Sequence, residues 1–191
     1  SPTGPANGSD LNAFMSAYNG RPAESWWRTN FNLAAYFNYQ TIVQAIHHYD
    51  IADGKNYFYH HDPDTGRWTV TPWDLDLTWA DSMYRGGQTG GDEPFKNLLL
   101  SNFSSSPAHP NIAREFRNRV REIRDLLWNQ DEAFRLIDEH ARLLRGAEAT
   151  TLLDADRAQW DYNPVMNNGS IVNLSKAGWG RFYQMGTPTK T

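Results

Sequence analysis

Two carboxylates, Asp74 and Asp76, interrupt the apolar run "TVTPWDLDLTWAD" at residues 69–81 of a 191-residue chain. Side chains of an extended strand alternate between its faces. A strand carried through this run would therefore put Asp74 and Asp76 on one face and send Leu75 and Leu77 into the core. Two carboxylates on one face repel each other unless a cation neutralises them. A hard divalent ion with oxygen ligands supplies that neutralisation. The plainer alternative is that both are exposed at a strand end and accept hydrogen bonds from backbone amides.

Upstream, "HHYDIADGKN" (47–56) carries further polar groups. Asp50 closes a long helical pattern, and Asn56 stands just before a β-type run. Asp53 is a rival to Asp50, but it lies very close to Asn56. Lys55 could neutralise a phosphate; the alternative is a solvated loop lysine. The pairs His47-His48 and His60-His61 do not suggest zinc, because adjacent residues point to different sides and H-E-x-x-H is absent. His48 or His60 could instead line a cleft beside Asp50. Asp62, Asp64 and Gly66 imitate the start of a calcium loop, but its sixth and twelfth places hold Arg67 and Trp73 rather than Gly and Glu, so a turn is expected.

The elements that must position these groups are readable from periodicity. A Pro/Gly/Ser/Asn-rich linker opens the chain, followed by a short helix at 9–18 capped by Ser9 or Asp10. A long helix is predicted from Ser25 to His48, with Tyr36, Tyr39, Val43 and Ile46 on its buried face. "NYFYHH" and "RWTVTPW", separated by "DPDTG", predict a β-hairpin. A Gly-rich loop at 84–94 matches neither standard phosphate-binding pattern. Helices are then predicted at 94–102, 109–128, 131–145 and 150–161, the third closing at Gly146. Trp26, Trp27, Trp68, Trp73 and Trp79 are most simply core residues. The last residues read as irregular. The fold class is thus mainly α with a small β-hairpin (α+β).

Composition narrows the chemistry further. With no cysteine, thiolate metal sites, disulfides and cysteine nucleophiles are absent. The net charge of −4 includes no long run of either sign, so no nucleic-acid partner is expected. No apolar run has the length of a transmembrane segment.

A helix, an Asp-bearing loop, an Asn, a hairpin and a further Asp follow the order of a protein kinase's catalytic half. The stretch "YDIADGKNYFYHHDPDTGRWTVTPWDLDLTWAD" resembles the signature of the CotH-type (spore coat protein H) kinase family, above all in "PWDLD". "DADRAQWDYNP" (154–164) resembles text of its larger bacterial members. The resemblance runs over residues 25–165, after a 1–24 linker and short helix and before an irregular 166–191 segment. It implies a protein-kinase-like C-lobe that transfers phosphate from ATP to Ser or Thr of a partner protein. Asp50 then matches the catalytic base. Asn56, Asp74 and Asp76 match the ligands of Mg2+ (or Mn2+), and Lys55 is a candidate ATP contact. It also implies a secreted or cell-envelope protein of a bacterium. The residues before the long helix leave no room for a strand-rich nucleotide lobe, so the N-lobe is expected to be missing, to be supplied by the remainder of the polypeptide. The alternative is a non-catalytic structural or adhesive surface module derived from the same fold.

Overall fold

Most aromatic residues of the first third of the chain collect around one buried centre. A computed structural model describes residues 5, 7–51, 55–79, 83–84, 108–146, 152–160 and 162–180. The chain divides into two units: residues 1–80 with 90–123, and residues 81–89 with 124–191.

In the first unit, α1 spans Ser9–Asn19. Its N-cap is Gly8 in the left-handed region, not Ser9 or Asp10. Asp10 falls in the first turn, where a carboxylate complements the helix dipole. Phe14 is buried from this helix and meets the rings of Trp26, Trp27, Phe31 and Trp68.

The long helix expected at 25–48 is two helices, α2 (Glu24–Asn30) and α3 (Leu33–Ala45). The break has a local cause. Asn32 caps α3 by accepting a hydrogen bond from the Ala35 amide at 3.1 Å. Its own amide donates to the Trp68 carbonyl at 2.8 Å, while Phe31 takes an extended conformation and bridges Trp68. Asn competes well for such caps, so the chain leaves the helix to dock on the hairpin. α3 then buries Leu33, Tyr36, Phe37, Tyr39, Gln40, Thr41 and Val43. Ile46 lies past its end and is only half-buried.

The hairpin forms as expected. β1 (Tyr57–His61) pairs antiparallel with β2 (Trp68–Pro72), with Tyr57 opposite Pro72 and His61 opposite Trp68. Asp62 organises the turn: its carboxylate accepts from the Asp64 amide at 3.0 Å and the Thr65 hydroxyl at 2.6 Å. Gly66 sits there at φ 65°, a conformation that favours glycine. Tyr57, Tyr59, Trp68 and Val70 turn to the core. Phe58, His60, Thr69 and Thr71 share the opposite face.

Helix α4 (Pro110–Leu126) closes the first unit by burying Ile112, Ala113, Phe116 and Ile123. Phe116 meets Phe37 at 5.8 Å between ring centroids. Each fully buried side chain of this kind stabilises by roughly 1.5–3 kcal/mol. The Arg28–Glu115 ion pair at 2.7 Å also ties α2 to α4, but exposed pairs contribute only about 0–1 kcal/mol.

The second unit contains α5 (Gln130–Arg145), α6 (Leu152–Trp160) and short 3-10 turns at Pro164–Asn167 and Gly178–Gly180. Asn129 caps α5 through the Glu132 amide, and Gly146 ends it as expected. Phe134, Ile137 and Leu144 keep helical register but are exposed. The segment at 166–180 is irregular apart from its short turns. It is held in part by the Tyr84–Val172 bridge. The helix expected at 94–102, Asp53 and all of the Gly-rich loop after Tyr84 lie outside the described residues. Among the described residues no helix is long and apolar enough to cross a membrane.

Candidate functional site

The end of α3 sets the geometry of the site. The His48 amide donates to the Val43 carbonyl at 2.9 Å, and the His47 amide to the Gln44 carbonyl at 3.1 Å. With His47 at φ 51°, this is the Schellman pattern, here without the usual glycine. The reversal turns His48 and Asp50 inward, and both are buried.

Asp50 is held from two sides. Lys55 Nζ lies 2.6 Å from Asp50 Oδ1. Asn56 Nδ2 donates to the Asp50 carbonyl at 2.6 Å and to Asp50 Oδ2 at 3.2 Å. Asn56 itself is left-handed at φ 65°, a region its side chain tolerates better than most. Its carbonyl accepts from the Trp73 amide at 3.0 Å, which carries the hairpin ladder one step beyond Tyr57 and Pro72. The loop before β1 and the chain leaving β2 are therefore joined at the base of the hairpin.

His48 makes a second tie. Its Nε2 lies 3.1 Å from the carbonyl oxygen of Asp74. The Trp79 amide donates to the Ile46 carbonyl at 2.6 Å. The segment from Asp74 to Trp79 is thus fastened to the end of α3 at both ends. His48 Nδ1 is buried without a hydrogen-bond partner among the described residues.

The strand expected through "PWDLD" stops at Pro72. Asp74 sits at φ 56°, and a turn follows at Leu75 and Asp76. A left-handed residue ends the alternation of faces, so period two does not place Asp74 and Asp76 together. Both are exposed, and Leu75 is exposed while Leu77 alone of the two leucines is buried. Trp73 and Trp79, expected in the core, are exposed as well. Trp73 shares the outward parity of Thr69 and Thr71, a signal present in the sequence. Trp73 packs edge to face on Phe58 with ring centroids 5.5 Å apart. His60 and His61 face opposite sides of β1, and His61 bonds Asp10 and stacks on Trp68 instead of meeting His60.

A family model described as CotH kinase protein matches residues 4–174. The chain belongs to the CotH kinase family. No curated protein and no solved structure gives a match. The matched range of this CotH-family chain holds Asp50, Lys55, Asn56, Asp74 and Asp76 together.

The structure brings Asp50, Lys55 and Asn56 into direct contact and ties the backbone of Asp74 to the same loop through His48. Among the described residues, Asp76 makes no such contact. Among the described residues of the CotH-family chain, no three of His, Cys, Asp and Glu could together hold a metal ion. A dedicated protein cage for a cation is therefore not formed by them. Magnesium on a nucleotide needs less, because phosphate oxygens and water fill most of its octahedron and one or two protein groups suffice. Asn56 fits that role chemically. Its amide nitrogen is spent on Asp50, which leaves Oδ1 as its acceptor end.

Proposed function

We propose that this CotH-family chain forms the catalytic, C-lobe-like portion of a protein kinase that transfers the γ-phosphate of ATP to Ser or Thr of a partner protein. The carrying observation is the Asp50–Asn56 contact, with Asp74 tied to the same loop by His48. Phosphoryl transfer needs mainly positioning and charge stabilisation. Asp50 would accept the proton of the attacking hydroxyl. Asn56 and Asp74, with Asp76 as a second carboxylate, would hold Mg2+ or Mn2+ on the phosphates. Lys55 would offset phosphate charge.

The exposed aromatic pair extends this reading. Phe58 and Trp73 are 57% and 61% exposed. Trp73 is bonded through its amide to Asn56 and precedes Asp74 directly. A planar base stacks well on such rings, so the pair is suited to the adenine of ATP.

The test uses the full natural polypeptide that carries this chain, with Asp50→Asn and Asp74→Asn variants. Transfer of γ-phosphate to a Ser-rich protein is expected to fall by orders of magnitude in both. Transfer unchanged in either variant, or absent from the unmodified protein with magnesium or manganese, would overturn the reading. Absence would favour a structural surface module.

A further inference from the structure

The Lys55–Asp50 pair is unequal. The Asp50 side chain is only 7% exposed, while that of Lys55 is 46% exposed. A buried carboxylate is costly without a partner. Asp50 therefore needs the contact more than Lys55 does. The lysine is a compact charge on a flexible stem and is already half in water. Asn56 keeps its hold on Oδ2 and on the Asp50 carbonyl whichever way Lys55 turns.

We propose that Lys55 is an exchangeable counter-ion, seated on Asp50 while the phosphate position is empty and drawn onto a polyphosphate when one binds. This rests on the phosphotransfer reading above. It gives Lys55 a regulatory role: Oδ1 of Asp50 is released to act only with the nucleotide in place. Asp50 and the incoming phosphate compete for one ammonium, so polyphosphate affinity is set partly by the strength of the ion pair.

The competition is measurable without any turnover. Inorganic tripolyphosphate is titrated calorimetrically, with magnesium, into the full chain and into Asp50→Asn, Lys55→Gln and the double variant. Asp50→Asn is expected to tighten binding about tenfold, a coupling of about 1.4 kcal/mol. In the Lys55→Gln background the same change should give about twofold or less, the residue of removing one negative charge; the cycle isolates the shared ammonium. Equal gains in both backgrounds overturn the exchange and leave the phosphotransfer reading standing, since the unmodified chain still binds. No binding by any of the four proteins overturns both. If Asp50→Asn fails to fold, carbon-13 reductive methylation of the unmodified chain decides instead. The Lys55 methyl resonance, assigned with Lys55→Arg, must move when tripolyphosphate binds, and a resonance that stays still while heat is released overturns the proposal.

Discussion

His48 Nε2 stands 3.1 Å from the carbonyl oxygen of Asp74, so one buried side chain joins the loop after α3 to the turn after β2. The bond reaches backbone rather than carboxylate. It fixes where the chain of Asp74 runs and leaves its side chain exposed. The Schellman reversal at His47 is what aims His48 at that carbonyl.

That reversal holds a β-carbon where glycine is normally favoured. A left-handed conformation costs an ordinary residue roughly 1–2 kcal/mol. His47→Gly is therefore expected to raise stability by about 1 kcal/mol, less some loss to the freer unfolded chain. Urea denaturation of the two proteins measures the difference. A clear destabilisation would mean that the His47 side chain contributes more than its backbone strain costs.

Trp73 is exposed, so removing its ring should disturb folding little. On the stacking reading, Trp73→Ala weakens ATP binding by about 1–3 kcal/mol. Calorimetric titration with magnesium-ATP measures this, and thermal unfolding of the same sample should show nearly unchanged stability. Unchanged affinity would remove the base-stacking role from Phe58 and Trp73.

Acid should destabilise the first unit in two windows. Burial lowers the pKa of His109 from the ordinary value of 6.5, with Glu24 opposing weakly. Its stability contribution is thus complete above that value and is lost as pH falls through the depressed folded pKa, because the unfolded chain binds the proton more readily. Asp10 is lowered from 3.8 chiefly by its hydrogen bond with His61 and next by the Leu11 amide. Its contribution is present above that value and is lost at lower pH. Stability followed by urea denaturation across pH should decline first below neutrality and again below about 4. His109→Gln should flatten the first decline, and Asp10→Asn should reduce the second only in part, because hydrogen bonds also lower Asp62 and Glu115 there. A first decline that persists in His109→Gln would assign it to another group.

The sequence by itself determined the elements whose cause is local. Alternation in "NYFYHH" and "RWTVTPW", with Asp62 and Gly66 between them, is enough to specify the hairpin. Period-3.6 apolar spacing and Gly146 specify α5. The words around Asp50, Asn56 and "PWDLD" were enough to point to the CotH family. Tertiary structure decided what depends on distant partners. The break at Phe31–Asn32 exists because Trp68 offers a carbonyl across the fold, and no periodicity within the helix announces it. "PWDLD" reads as a strand, yet no further strand pairing continues past the Trp73 amide, and Asp74 turns left-handed under the hold of His48. Position in the loop and the family resemblance could name Asp50 and Lys55 as candidates. Only the fold could bury one, leave the other half in water, and bring the two into an ion pair at 2.6 Å.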